Sequence, residues 1–328
     1  MEYRTLGRTG VKVSKLCMGT MTFGDTADEA ESERMFRRCR EVGINFFDCA
    51  NGYGAGRSEE ILGKLMADCR DDVVITSKVG FSVGEDLNRT GSSRRHIQMQ
   101  VEASLKRLKT DRIDVYFIHR YDPDTPIEDV VRTLDDLVQQ GKILYPAVSN
   151  WAAWQISKAL GVAAYEGLSR FECIQPMYNL VKRQAEVEIL PLALGENMGV
   201  IPYSPLGGGM LTGKYEGGAK VEQGRFLVNQ MYVTRYGEAL YHEIAAKFSA
   251  YTKEKGYDPA TLAVAWVMSN PAVTAPIIGA RSVAQLEASL AAAEVKMTPE
   301  WRDEISALSY QPPPATDRLE EQRSSGAK

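Results

Sequence analysis

Asp48, Tyr53, Lys78 and His119 are the residues of this chain best suited to acid–base chemistry, and each ends or closely follows a short apolar run. Asp48 closes "INFFD", Lys78 closes "VVITSK", His119 closes "IDVYFIH", and Tyr53 stands in the glycine-rich stretch "NGYGAG". Singly, each has an ordinary structural reading. Asp48 could cap a helix, Lys78 could lay its stem along a surface, His119 could be a satisfied core imidazole, and Tyr53 a loop aromatic. Together they form a proton-delivery set. A phenol with an ordinary pKa of about 10 is a poor acid–base catalyst near neutrality, and an adjacent ammonium favours its ionised form. A buried ammonium in turn needs a counter-charge, which Asp48 supplies. An imidazole beside them can donate to a carbonyl oxygen, polarising and orienting it. Such a set suits proton delivery to the alkoxide that develops when a carbonyl accepts hydride.

These groups converge only if the apolar runs are strands of one barrel. The runs are 15–19, 44–48, 73–78, 113–119, 143–149, 171–175, 199–204 and 273–279, short and rich in β-branched or aromatic residues. Helix-length segments lie between them at 28–42, 57–69, 93–108, 127–140, 152–166 and 183–198, with Asp28, Ser58 and Ser93 near plausible starts. Eight strands alternating with helices predict a single α/β (β/α)8 TIM barrel, whose active site lies at the strand ends. Gln175 and Tyr203 stand at the ends of two further runs and Asn150 just past a third, and a packed barrel gains nothing from six polar groups at one mouth. A hairpin signal with Gly7 and Gly10 precedes the first barrel strand, and a long glycine-rich connection covers 205–236 after the seventh. The reading is one barrel domain over 1–310, with a Pro- and charge-rich irregular tail over 311–328.

Two phosphate-binding look-alikes fail on inspection. In "NGYGAGR" the third glycine of a dinucleotide fingerprint is Arg57, so the glycines are read as letting the loop turn Tyr53 back towards Lys78. "GGMLTGKY" (208–215) matches the phosphate-loop pattern, but Tyr215 replaces the hydroxyl residue that ligands magnesium.

The bulk composition sets further bounds. The 328 residues are 44% hydrophobic and 25% charged with net charge -4, which gives no support to nucleic-acid or anionic-membrane binding. Five scattered cysteines without a C-x-x-C pair, and three histidines without H-E-x-x-H, argue against a metal site and fit free thiols in a cytoplasmic protein. The N-terminal stretch has no signal-peptide core, and no run is long enough to span a membrane.

The motifs "FDCANGYGAGRSEEILGK", "ITSKVG", "DVYFIHRYDPDTPIED", "VSNW", "QPMYNL", "PYSPLGGGMLTGKY" and "PIIGAR" resemble those of the aldo-keto reductases across nearly the whole chain. The resemblance implies a barrel that binds NADPH (NADP+) without a Rossmann domain and transfers hydride to a small-molecule carbonyl substrate. It implies a catalytic tetrad of Asp48, Tyr53, Lys78 and His119, with Tyr53 as general acid. It places Ser149, Asn150 and Gln175 on the carboxamide and Tyr203 against the nicotinamide face. Ser204, Pro205, Leu206, Gly207, Gly208 and Lys214, with Arg225, would fold over the pyrophosphate. Gly279, Arg281, Gln285 and Ser289 match positions around the adenine and its 2′-phosphate, for which a guanidinium is apt. Gly19, Thr20 and Met21 match a backbone contact region, and Asp48 also borders the cofactor. The chain departs from the family where Ala288-Ser289 replaces a frequent Glu-Asn, and where Leu144-Tyr145-Pro146-Ala147 precedes Val-Ser-Asn.

Two other functions compete with carbonyl reduction. The resemblance extends to channel β-subunits, which implies an NADP(H)-binding, redox-sensing subunit with little turnover. A barrel lyase using Lys78 as a Schiff base is the third, and a carboxylate that keeps Lys78 charged opposes it. Substrate identity and oligomeric state are not implied by the sequence. Tyr121, Trp151 and Phe23 are aromatic candidates for the pocket wall, and Arg120 for an anionic or polyhydroxyl substrate or a surface salt bridge.

Overall fold

The computed structural model describes residues 1–214 and 230–316. A hairpin of β1 (Tyr3–Thr5) and β2 (Lys12–Ser14), with Tyr3 opposite Ser14, precedes the barrel. The barrel strands are β3 (Cys17–Gly19), β4 (Phe46–Asp48), β5 (Val74–Val79) and β6 (Ile113–Ile118), then β7 (Ile143–Ser149), β8 (Cys173–Gln175), β9 (Gly199–Val200) and β10 (Ile277–Ile278). All adjacent barrel strands run parallel, and β10 pairs with β3. Backbone bonds close the remaining seam. The amides of Thr274 and Ala275 donate to the Val200 carbonyl at 2.9 and 3.2 Å, and that of Ile277 donates to Pro202 at 2.9 Å. The fold is the expected (β/α)8 barrel.

Strand periodicity decides which side chains point inward. One parity, including Phe46, Val115, Phe117, Ala147, Cys173, Ile201, Ala275 and Ile277, forms an inner core together with Leu6 and Val13 of the hairpin. The other parity, including Met18, Phe47, Ile75, Tyr116, Ile118, Val148 and Ile174, packs under the helices. Following the inward parity one step along each strand reaches Gly19, Asp48, Lys78, His119, Ser149, Gln175 and Tyr203. The barrel is thus apolar at one end and polar at the other. Leu6 plugs the apolar end so closely that a Cβ on Gly199 would lie 2.4 Å from its Cδ1. The carboxylate, ammonium and imidazole of the barrel interior, Asp48, Lys78 and His119, stand at the polar end.

The surrounding helices follow from apolar stripes and caps. Glu29–Glu41 starts at Asp28, which accepts from the Glu31 amide at 2.8 Å, and Arg94–Leu108 starts at Ser93. Ile127–Gln139 buries Ile127, Val130, Val131, Leu134 and Leu137 on one face. Pro259–Met268 is buried on all sides from Thr261 onward, because it is covered by the helices Ala239–Lys255 and Val283–Leu290.

Three expectations need correction. The helix over 183–198 is two pieces, a turn at Gln184–Glu186 and a helix at Ile189–Gly195. The break falls at Glu188, whose φ of -137° is outside the helical range, and Pro191 in the first turn of the second piece has no N–H to carry the ladder back across it. Ser58 does not cap Arg57–Leu65. Its buried hydroxyl donates to the Thr20 carbonyl at 2.7 Å, and Gly56, with φ +96°, occupies the cap position. The strands expected over 199–204 and 273–279 are paired in the regular ladder only at Gly199–Val200 and Ile277–Ile278.

Candidate active site

Lys78 is the hub of the polar end. It has no exposed side-chain surface, and Asp48 beside it is 2% exposed. The Lys78 Nζ donates to Asp48 Oδ2 at 2.7 Å, to the Cys49 carbonyl at 2.6 Å and to the Tyr53 hydroxyl at 3.2 Å. All three ammonium protons therefore have acceptors, which a fully buried lysine requires. The Asp48 carboxylate is held equally firmly. Its Oδ1 accepts from Thr76 Oγ1 at 2.7 Å and from Gln175 Nε2 at 2.8 Å. Burial would depress the Lys78 pKa, but the charge of Asp48, with Tyr53, raises it above the ordinary value.

Tyr53 reaches Lys78 because the loop after β4 turns sharply. Gly54, Ala55 and Gly56 all have positive φ (54°, 53° and 96°). Gly52 is extended no such way, with φ -87°, so the turn follows Tyr53 rather than flanking it. The Tyr53 pKa is pushed up to about 12, chiefly by burial, against the opposing pull of Lys78. The expected pull of Lys78 towards the phenolate is present, but burial outweighs it, and Tyr53 holds its proton.

His119 completes the group. Its ring meets the Tyr53 ring edge-on at 6.1 Å between centroids. Burial, then Lys78, then Arg120 hold its pKa well below the ordinary value, so the imidazole is neutral near pH 7. A neutral imidazole beside a protonated phenol offers two uncharged donors to one carbonyl oxygen. The arrangement can protonate an oxyanion as it forms.

A family model described as the aldo/keto reductase family matches residues 15–309, the stretch that carries all eight barrel strands. The chain belongs to the aldo/keto reductase family. Its relatives carry different names. It is 38% identical over 327 residues to a protein of Oryza sativa subsp. japonica named "Probable voltage-gated potassium channel subunit beta", covering 97% of this chain and 99% of that one. It is 38% identical over 315 residues to a Bacillus subtilis protein named "Uncharacterized oxidoreductase YrpG", covering 92% and 93%. It is 33% identical over 326 residues to a protein of Aspergillus parasiticus named "Versiconal hemiacetal acetate reductase", covering 92% and 94%.

Beside the four acid–base residues, this family member arranges a second arc of polar groups. The Ser149 hydroxyl donates to the Gln175 carbonyl at 2.8 Å, and Asn150 Nδ2 donates to the His119 carbonyl at 2.9 Å. The Tyr203 hydroxyl donates to Asn150 Oδ1 at 2.7 Å. Asn150 (φ +58°) and Ser204 (φ +57°) are strained turns that end their strands at this mouth. Gly207 and Gly208 follow with φ +57° and +69°. Pro205 is buried at this turn, and Leu206 packs against the helical core. Gly19 lies against β10, where a Cβ would meet Ile277 Cγ2 at 2.7 Å. Thr20 is buried with its hydroxyl on the Asp48 carbonyl at 3.0 Å, whereas Met21 is exposed. Gly279 neighbours Gly19, and the Arg281 amide donates to Gln285 Oε1 at 3.2 Å. Ser289 is buried within the helix Val283–Leu290, and Lys214 is exposed. Arg225 lies outside the described residues.

Several supporting residues escaped the sequence reading. Thr76 anchors Asp48 from mid-strand, where alternation was its only signal. Asn179 ties the Ser204 carbonyl at 2.9 Å to the Tyr236 hydroxyl at 3.2 Å, joining the β9 turn to the helix Gln230–Tyr236. Of the aromatics expected at the pocket wall, Tyr121 packs on Trp151 at 5.2 Å, and Trp151 and Phe23 are buried. Among the described residues no group of three or more His, Cys, Asp or Glu is placed to hold a metal, and no helix is long and apolar enough to cross a membrane.

Proposed function

We propose that the protein reduces aldehyde or ketone carbonyls to alcohols with NADPH, Tyr53 acting as general acid. The observation that carries this reading is the buried Lys78 Nζ, which touches both Asp48 at 2.7 Å and the Tyr53 hydroxyl at 3.2 Å. The substrate oxygen receives hydrogen bonds from Tyr53 and neutral His119 and is polarised by them. As charge grows on that oxygen, Tyr53 passes its proton to it. Lys78 then stabilises the phenolate left behind, while Asp48 keeps Lys78 charged and in place.

The residues around the mouth fit a nicotinamide dinucleotide. Gly207 and Gly208, with φ +57° and +69°, turn the chain sharply after β9, a backbone shape whose amides suit an anion, and Gly208 is packed so closely on the Tyr232 ring that a Cβ would lie 2.8 Å from it. Ser149, Asn150 and Gln175 would hold the carboxamide, and Tyr203 would cover the ring. Ser204 to Gly208, Lys214 and Arg225 would hold the pyrophosphate. Gly279, Arg281, Gln285 and Ser289 would receive the adenine and its 2′-phosphate, Arg281 being the charge that favours NADPH over NADH. When bound, NADPH supplies the hydride. Gly19, Thr20, Met21 and Asp48 would border it at β3 and β4. Five free thiols, four of them buried, fit a reducing cytosol.

NADPH oxidation followed at 340 nm with nitrobenzaldehyde, methylglyoxal and sugar aldehydes tests the reading, and no turnover on any of them would sink it. A second reading is favoured by the name of the rice relative: an NADP(H)-binding, redox-sensing subunit with little turnover. Tight NADP(H) binding without oxidation across the same panel would select it.

A further inference from the structure

Phe81 follows β5 and Arg120 follows His119, so both lie at the catalytic end of the barrel. Phe81 is 42% exposed, and its ring meets the His119 imidazole edge-on at 4.6 Å. The Arg120 guanidinium lies 5.0 Å from the same ring's centroid. With the 6.1 Å contact between His119 and Tyr53, these four side chains form one row from the buried acid to an exposed cation.

Among the described residues Arg120 has no ion pair and no hydrogen bond; its guanidinium lies on the Phe81 face, and its charge is felt by His119 and Asp122. Asp122, two residues on, is already engaged. Its carboxylate accepts from the Ser92 amide at 2.7 Å, the Thr125 hydroxyl at 2.8 Å and the Asp124 amide at 3.1 Å. Other arginines at helix surfaces, such as Arg37 on Glu33 and Arg57 on Glu60, have carboxylate partners. Stacking on an aromatic ring fixes the plane of a guanidinium while leaving its N–H fork free.

We propose that Arg120 receives the carboxylate of an anionic carbonyl substrate, with Phe81 as the platform that aims the guanidinium. The proposal rests on the reductase reading of Tyr53 and His119, which fixes where the carbonyl sits. A single planar cation matches a monoanionic carboxylate through paired N–H donors. The Phe81 ring separates the two ends of the row, so the favoured substrates carry the carboxylate about one aromatic ring or a short chain away from the carbonyl. Phe81 lies along that span as an apolar wall. Such a substrate is held by binding energy remote from the reacting carbon, which acts mainly on KM.

The test compares 4-carboxybenzaldehyde with its uncharged methyl ester in wild type, R120L and R120K. The ratio of the two kcat/KM values, acid over ester, is expected to fall roughly tenfold in R120L, mostly through KM, with partial retention in R120K. The wild-type ratio should also shrink between about 20 mM and about 500 mM salt. The same ratio in wild type and R120L would overturn the proposal. Calorimetric binding of 4-carboxybenzyl alcohol gives an arm independent of turnover. Binding tighter to wild type than to R120L supports the role of Arg120, and equal binding overturns it. Failure of both aldehydes to oxidise NADPH, by contrast, would count against the reductase reading itself.

Discussion

The Lys78 ammonium lies 2.7 Å from the Asp48 carboxylate and 3.2 Å from the Tyr53 hydroxyl, so one buried cation links the counter-charge of the site to its acid. Removing that cation leaves Asp48 as a buried, partly satisfied charge. Lys78→Met is therefore expected to destabilise the fold by about 3–5 kcal/mol, read from urea unfolding. Asp48 keeps its donors Thr76 and Gln175, which places the effect towards the lower end. The double variant with Asp48→Asn should recover part of the stability and none of the turnover.

Alkaline stability follows from the direction of two shifts. Tyr53 is raised from 10.0 to about 12, so between those values the unfolded chain releases a proton that the native state keeps. Stability from this group is complete below pH 10 and is lost as pH rises towards 12. Lys78 is raised above 10.5 and acts with the same sign. Urea midpoints should fall steeply above pH 10, and Tyr53→Phe should make that fall shallower. An identical slope in the variant would contradict the raised phenol pKa.

His119 works in the opposite pH range. Its pKa lies well below 6.5, so under acid conditions the unfolded chain binds a proton before the native imidazole does. Stability should decline as pH drops below 6.5, and a His119→Gln variant should lose less over the same interval. A histidine NMR titration with a His119 midpoint at or above 6.5 would refute the lowered pKa.

Gly208 has φ +69°, and a Cβ there would lie 2.8 Å from Tyr232. Gly208→Ala should cost about 1–2 kcal/mol in strain. NADPH affinity, measured by protein fluorescence quenching, should weaken roughly tenfold if about 1.4 kcal/mol of that strain falls on the bound state. Gly161 is the comparison. It sits inside the helix Ala153–Glu166 with nothing within 4 Å of an added Cβ. Gly161→Ala should instead stabilise by about 0.5–1 kcal/mol.

Much of this site was legible in the sequence because barrel strands alternate. Asp48, Lys78, His119 and Gln175 close apolar runs with the parity that faces the barrel axis, so their types alone marked a polar mouth. Ser58 misled, since a serine near a helix start is usually a cap, and only tertiary contact with Thr20 claims its hydroxyl. The helix expected over 183–198 failed for a local reason, since Pro191 cannot continue the ladder and the backbone leaves the helical range at Glu188. Thr76, Asn179 and Phe81 gave no local signal. Each acts through a partner distant in the chain: Asp48, Tyr236 and His119.

The central claim is that the Tyr53 hydroxyl delivers the proton. Its most direct test is single-turnover reduction of nitrobenzaldehyde by wild type and Tyr53→Phe, each saturated with NADPH. The account predicts that the variant binds NADPH as wild type does and reduces the aldehyde roughly 100- to 10,000-fold more slowly. Reduction at the wild-type rate by Tyr53→Phe would contradict it.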